Sequence, residues 1–243
     1  MSGLSSGLSL GVSLGLSLLE RPMVVFNFLP SKTLHPTRMA DYGPWPRACA
    51  LAVGPAAAAS WHRHWSAAIL QREGLHAMPV TDGAAVGLDI AVLPRDALAL
   101  LVRRMGVALC APRLRYAIMG SSVRALQDAL GPDVMHWVRD ARAIHPGLPG
   151  AMLVDAGQAR RDIDLAGHAL LYLAFQGAPP AVARRLFLKL PPLPGPSPSL
   201  PAATANDDIV QAVSAAIDSD GAMALAQAVR GSPIFRGRDD IPG

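Results

Sequence analysis

From Pro94 to about Cys110 the large apolar residues Leu98, Leu101, Val102, Met105 and Leu109 recur at intervals of three and four. That spacing draws a stripe roughly 100° wide along one side of a helix. No stretch of the chain shows the two-residue alternation of a half-buried strand, and no internal repeat is visible. A chain with this pattern has to be assembled from helices packed by their stripes. Proline and glycine mark where those helices stop.

The segment Met1 to Glu20 is a Gly/Ser/Leu near-repeat. It has no basic residue before its apolar run and no clear small-residue cleavage site, unlike a signal peptide. It is also less apolar than a membrane span of ~18 residues requires. Residues 1–22 are therefore expected to be a dispensable, disordered extension or a start assigned too early, with the functional chain opening at Met23. Pro30, Pro36, Gly43, Pro44, Pro46, Gly54 and Pro55 make residues 30–55 a loop with at most short turns. A helix is expected over about Ala56–Glu73, with Trp61 and Trp65 on one face, and a loop over 74–92. Pro112 is expected to break the Pro94 helix before a short helix, Arg113–Met119. Ser121 caps another helix, Val123–Leu130, and Pro132 starts the next, to about Ala143. Asp162–Phe175 is apolar on nearly every side and reads as central, with Asp162 and Asp164 decorating its start. A further helix follows Pro179 and Pro180. Residues 191–201, PPLPGPSPSLP, form a stiff polyproline-like linker. Asn206–Arg230 is a last amphipathic stretch, kinked or split at Gly221. The expected architecture is all-α. A compact multi-helix domain spans 23–190, followed by a Pro-rich linker (191–205), a C-terminal helical segment (206–230) and a flexible tail (231–243).

Hydrophobic residues make up 51% of the 243 residues and charged residues 16%, a balance that excludes a disordered chain. Aromatics are only 5%, so the core is built mainly from Leu, Val and Ala. The formal charge is +4, too small to specify a partner. Cys49 and Cys110 are far apart in sequence and read as reduced thiols. No catalytic set stands out. His62 and His64, two apart on a helix, point about 200° apart and cannot share a metal. Cys110 with His136 or His168 makes a nucleophile–base pair on paper, with nothing local to support it. GxSxG, Walker, GxGxxG and HExxH patterns are absent. The PxxP-like spacing in PPLPGPSP fits a spacer better than a groove ligand.

The informative patch is basic. Arg95, Arg103, Arg104, Arg113, Arg115 and Arg124 cluster along the chain, with Asp96 and Asp128 as the acids in the span to 128. Arg103 and Arg104 are expected on the side of the Pro94 helix away from its stripe, near Leu100 and Val107. Apolar anchors ringed by arginine are a frequent interface composition, and equally Leu100 and Val107 could touch another helix of the same domain. The candidate partner-binding residues are Leu100, Arg103, Arg104, Val107, Arg113 and Arg115, with Trp61 and Trp65.

Residues 93–126, LPRDALALLVRRMGVALCAPRLRYAIMGSSVRAL, resemble the central segment of the K proteins of type III secretion. That family carries a leucine-rich helix ending in R-x-G-x-x-L, here Arg104 to Leu109. An L-R-x-x-I helix follows, here Leu114 to Ile118, and then another leucine helix. GHALLYLAF and RRLFLKLP, within residues 167–191, are similar to its second block, and FLPSKTLHP (28–36) to its N-terminal P-x-x-x-L-H segment. The three blocks occur in order over about residues 26–191, with the tail compatible. The first extension and the long linker depart from the family. The resemblance implies a non-enzymatic adaptor without cofactor, metal or nucleic-acid partner. It would work in the cytoplasm at the inner-membrane face, joining the cytoplasmic domain of the ring D subunit to the Q subunit of the sorting platform, and through Q to the stator and ATPase. The basic balance and short helix pairs leave a helical nucleic-acid-binding regulator as an alternative; a hydrolase with an unrecognised site is a third, least favoured reading.

Overall fold

A computed structural model of the chain describes residues 21–115, 120–192 and 205–232. The expected extension (to residue 20), residues 116–119 of the expected short helix, most of the linker and residues 233–243 lie outside the described residues. Among the described residues every regular element is helical: α1 (Pro22–Phe28), α2 (Trp45–Ala50), α3 (Pro55–Arg72), α4 (Leu88–Ala91), α5 (Arg95–Leu114), α6 (Gly120–Leu130), α7 (Val134–Asp140), α8 (Ala156–Ala174), α9 (Pro180–Leu188), α10 (Ala205–Ala216) and α11 (Ser219–Gly231). Short 3-10 turns occupy Pro30–Lys32, Pro36–Tyr42 and Ala141–Ala143. The fold is all-α. The chain groups into two compact units, one of Met1–Arg95 with Pro179–Pro192, the other of Asp96–Ala178 with Leu193–Gly243.

In the first unit, proline starts element after element: α1, α3 and α9 and the turns at Pro30 and Pro36 carry it in their first turn, where the missing N–H costs nothing. This is why residues 30–55, expected as loop, contain short helices instead. Their core gathers Leu34, Tyr42, Trp65, Ile69, Leu70, Leu75 and Leu188. Polar side chains fasten the connections. Buried Asn27 pairs both ways with the Val80 backbone, at 2.9 and 2.8 Å. From α9 and its end, Arg185 donates to the carbonyls of Leu75 and Met78, and Lys189 Nζ to those of Ala91 and Leu93.

In the second unit, α5 and α8 cross in direct backbone contact. A Cβ at Gly106 of α5 would overlap the Ile163 carbonyl, and one at Gly167 of α8 would overlap the Val102 carbonyl. Only glycine permits that approach. The central block and the start of the second block of the family resemblance thus meet at one crossing. Helices α10 and α11 pack on α8, burying Ile209, Val213, Ala226 and Val229.

Three expectations need correction. Pro112 does not break the helix: α5 continues through it to Leu114. It falls in the last turn, where the missing N–H costs a single helical bond, and the following loop closes over that end, Leu148 N donating to the Leu109 carbonyl (2.7 Å) and Leu153 N to that of Arg113 (3.1 Å). That loop passes so close that Gly147, at φ +85°, has no room for a Cβ beside the Pro112 ring. Second, α8 begins at Ala156, with the Asp155 carboxylate accepting from Gln158 N at 2.6 Å. Asp162 and Asp164 therefore lie inside the helix rather than at its start. Third, the C-terminal stretch divides before Ser219, and Gly221 is not the break. Asp218 caps α11 by accepting from Gly221 N at 2.7 Å.

Candidate partner-binding surfaces

The arginine face expected on α5 is not a free surface. Helix α5 is enclosed on most sides, and Val107, placed outward by the helical wheel, is fully buried. Arg104 is also buried, 7% exposed, with its guanidinium 4.7 Å from the centroid of the Trp137 ring. The stripe had suggested an exposed side because periodicity ranks faces only relative to one another. It does not report that α8 covers one flank and Trp137 of α7 another.

Arg103 and Arg113 are engaged inside the same unit. Arg103 Nε reaches Asp164 Oδ1 at 3.3 Å, and Arg113 Nη2 reaches Asp162 Oδ2 at 3.1 Å. Arg113 also donates to the Ala151 carbonyl at 2.8 Å. The two aspartates, two residues apart on α8, splay toward different partners as their spacing requires. Leu100 and Arg115 are half-buried. Trp137 and Arg104 also line a cavity of about 560 Å³ with Ala108, Ile144 and Val229.

Trp61 and Trp65 belong to the first unit and part company there. Trp65 is core, 2% exposed, with the His62 ring stacked 5.9 Å away. Ser31 Oγ lies 2.9 Å from His62 Nδ1. Burial, and secondarily the charge of Lys32, holds His62 below the usual histidine range. Trp61 stays 39% exposed. It joins two residues that sequence reasoning did not group with it. Its ring centroid is 6.0 Å from that of Trp45 on α2 and 6.4 Å from His64, while Trp45 and His64 stack at 6.5 Å and 14°. Trp45, Ala57, Ser60, Trp61 and His64 line a cavity of about 490 Å³. The connection between α2 and α3 exposes Leu51 (80%) and Val53 (92%). A signal for this surface was present in the sequence: residues 42–72 contain three tryptophans, Trp45, Trp61 and Trp65, with Arg47, Arg63 and Arg72, and no Asp or Glu.

The buried thiol of Cys110 is pushed up to about 11, chiefly by desolvation, so it is neutral at ordinary pH. His168 Nδ1 donates to the Asp164 carbonyl at 2.6 Å, in the helical i−4 position. Among the described residues no group of three or more His, Cys, Asp or Glu side chains is placed to hold a metal ion, and no helix is long and apolar enough to cross a membrane.

No curated protein and no solved structure matches this chain. A family model described as YOP proteins translocation protein K (YscK) matches residues 26–215. That span runs from α1 through α10 and takes in the glycine crossing of α5 and α8, the Arg185–Lys189 block and the Trp45–Trp61 surface. With most of its length matched, the chain belongs to the YscK family and is a component of type III protein secretion.

Proposed function

We propose that this protein is a non-enzymatic adaptor of the type III secretion sorting platform. It joins the cytoplasmic domain of the inner-membrane-ring D subunit to the Q subunit, and through Q to the stator and export ATPase. The observation that carries this reading is the family match over residues 26–215. The division into two compact units supports it, since an adaptor has to present surface to two partners. The basic balance and short helix pairs that raised a nucleic-acid ligand gain no support: Arg113, within that region, is engaged by Asp162, and no observation favours that alternative. The protein would act at the cytoplasmic face of the inner membrane, held there by the ring.

The test is a three-component pull-down. The purified cytoplasmic domain of D, immobilised, is expected to retain Q only when this chain is present. Deleting the gene is expected to abolish type III secretion, and the plasmid-borne chain to restore it. Retention of Q by D without the chain, or binding of the chain to neither subunit, would overturn the adaptor reading.

A further inference from the structure

We propose that the α2–α3 face of the first unit, centred on Trp45, Trp61 and His64, docks an acidic segment of a protein partner that inserts a large apolar side chain against the indoles. This deepens the adaptor reading and rests on it.

Helix α3 already has a complete core stripe in Trp65, Ser66, Ile69 and Leu70. Trp61 lies off that stripe and packs only on the rim of the unit, against Trp45, which is itself partly buried on the core, and it keeps 39% of its surface exposed. The ring cluster leaves a cavity of about 490 Å³, and the same two helices are joined by a connection with exposed Leu51 and Val53. Rigid indoles lose little side-chain entropy on binding, and tryptophan and arginine dominate interface hot spots.

Charge selects the partner. Arg47, Arg63 and His64 are exposed on these helices, and no Asp or Glu occurs between Asp41 and Glu73. The bias extends to the whole unit. Met1–Arg95 with Pro179–Pro192 carries ten Lys/Arg against five Asp/Glu, whereas the second unit carries twelve against thirteen. The first unit thus carries +5 and the second −1, so the positive charge of the chain resides in the first unit. A cationic rim around an aromatic centre attracts an acidic segment and repels a basic one.

The experiment titrates the full chain against the purified D cytoplasmic domain and against Q, at low and high salt, with Trp61→Ala and Arg63→Glu as variants. One of the two subunits is expected to bind the wild type and to lose about tenfold or more in affinity with either variant. The loss for Arg63→Glu should shrink at high salt, where rim charges are screened. Circular dichroism checks the fold. Should Trp61→Ala misfold, the exposed Arg63→Glu change decides alone. Folded variants that bind both subunits like the wild type would overturn this docking face and leave the adaptor reading standing. A wild type that binds neither subunit would overturn both. The face is also overturned if Trp61→Ala dissolves a dimer of the chain, if deleting residues 2–20 exposes the indoles to quencher, or if a single-stranded oligonucleotide binds there in competition with the subunit.

Discussion

At the scale of single residues, the basic side chains of this protein do different work from the one their sequence positions suggest. The block RRLFLKLP looks like an arginine-rich helix end. In the fold Arg185 and Lys189 are almost wholly buried and act as donors to backbone carbonyls that loops leave without helical partners. Lys189 Nζ also lies 5.2 Å from the Phe26 ring centroid. Burial without a carboxylate partner pushes its ammonium down to about 8 from the usual 10.5. Between those values the unfolded chain holds a proton that the folded chain has released, so this residue's contribution to stability rises with pH from about 8 to 10.5. The stability of wild type relative to Lys189→Met is therefore expected to improve over that window by up to about 3 kcal/mol. Denaturant titrations of both proteins from pH 7 to 10.5 measure it. Taking the difference cancels the opposing effect of Cys110, whose raised value weakens the fold above its own ordinary range in both proteins. A gap independent of pH would show that Lys189 is not charged and buried as described.

Among the elements, the decisive contact is the crossing of α5 and α8. Leucine stripes alone would hold these helices ~8–10 Å apart. Gly106 and Gly167 let each helix rest on the other's backbone, with Ile163 and Val102 against the two glycines. The crossing also aligns the Arg103–Asp164 and Arg113–Asp162 pairs along its flanks. Adding one methyl group at either glycine forces the helices apart. Gly106→Ala and Gly167→Ala are each expected to lower stability by about 1–3 kcal/mol, a typical range for overpacking. The gain in helix propensity, about 1 kcal/mol, offsets only part of this. The double variant should cost less than the sum, because one displacement relieves both overlaps. Urea denaturation followed by circular dichroism measures all three, and a single variant as stable as the wild type would mean that the helices do not touch there.

On the scale of the whole molecule, the chain crosses between its units more than once. The first unit is completed by α9, more than eighty residues after α4. The second is completed by α10 and α11, beyond the Pro-rich segment. A chain ending at Pro192 would keep every element of the first unit and strip α8 of its two covering helices. That truncation is expected to expose an apolar strip including Ala166 and Leu170. Thermal melting should then show the loss of a transition belonging to the second unit, with binding of a hydrophobic dye at temperatures where the full chain binds none. If melting is unchanged, α10 and α11 do not cover α8.

The helical class, the extent of α3 and α9, and the three blocks that mark the family were legible in the sequence. Each depends on local properties: the spacing of apolar residues, the placement of proline in first turns, and short motifs in order. Which side of a helix meets solvent is a property of what packs against it, and no helical wheel contains that information. Tertiary structure alone decided that Val107 and Arg104 are buried, that Pro112 lies within the last turn of a helix whose end a loop closes over, and that Trp61 finds Trp45 rather than Trp65. It also decided that Gly106 and Gly167, sixty-one positions apart, serve one contact. The sequence names the residues capable of close approach or aromatic stacking. Pairing them requires the chain to return on itself, and that return is set by the summed burial of the entire core.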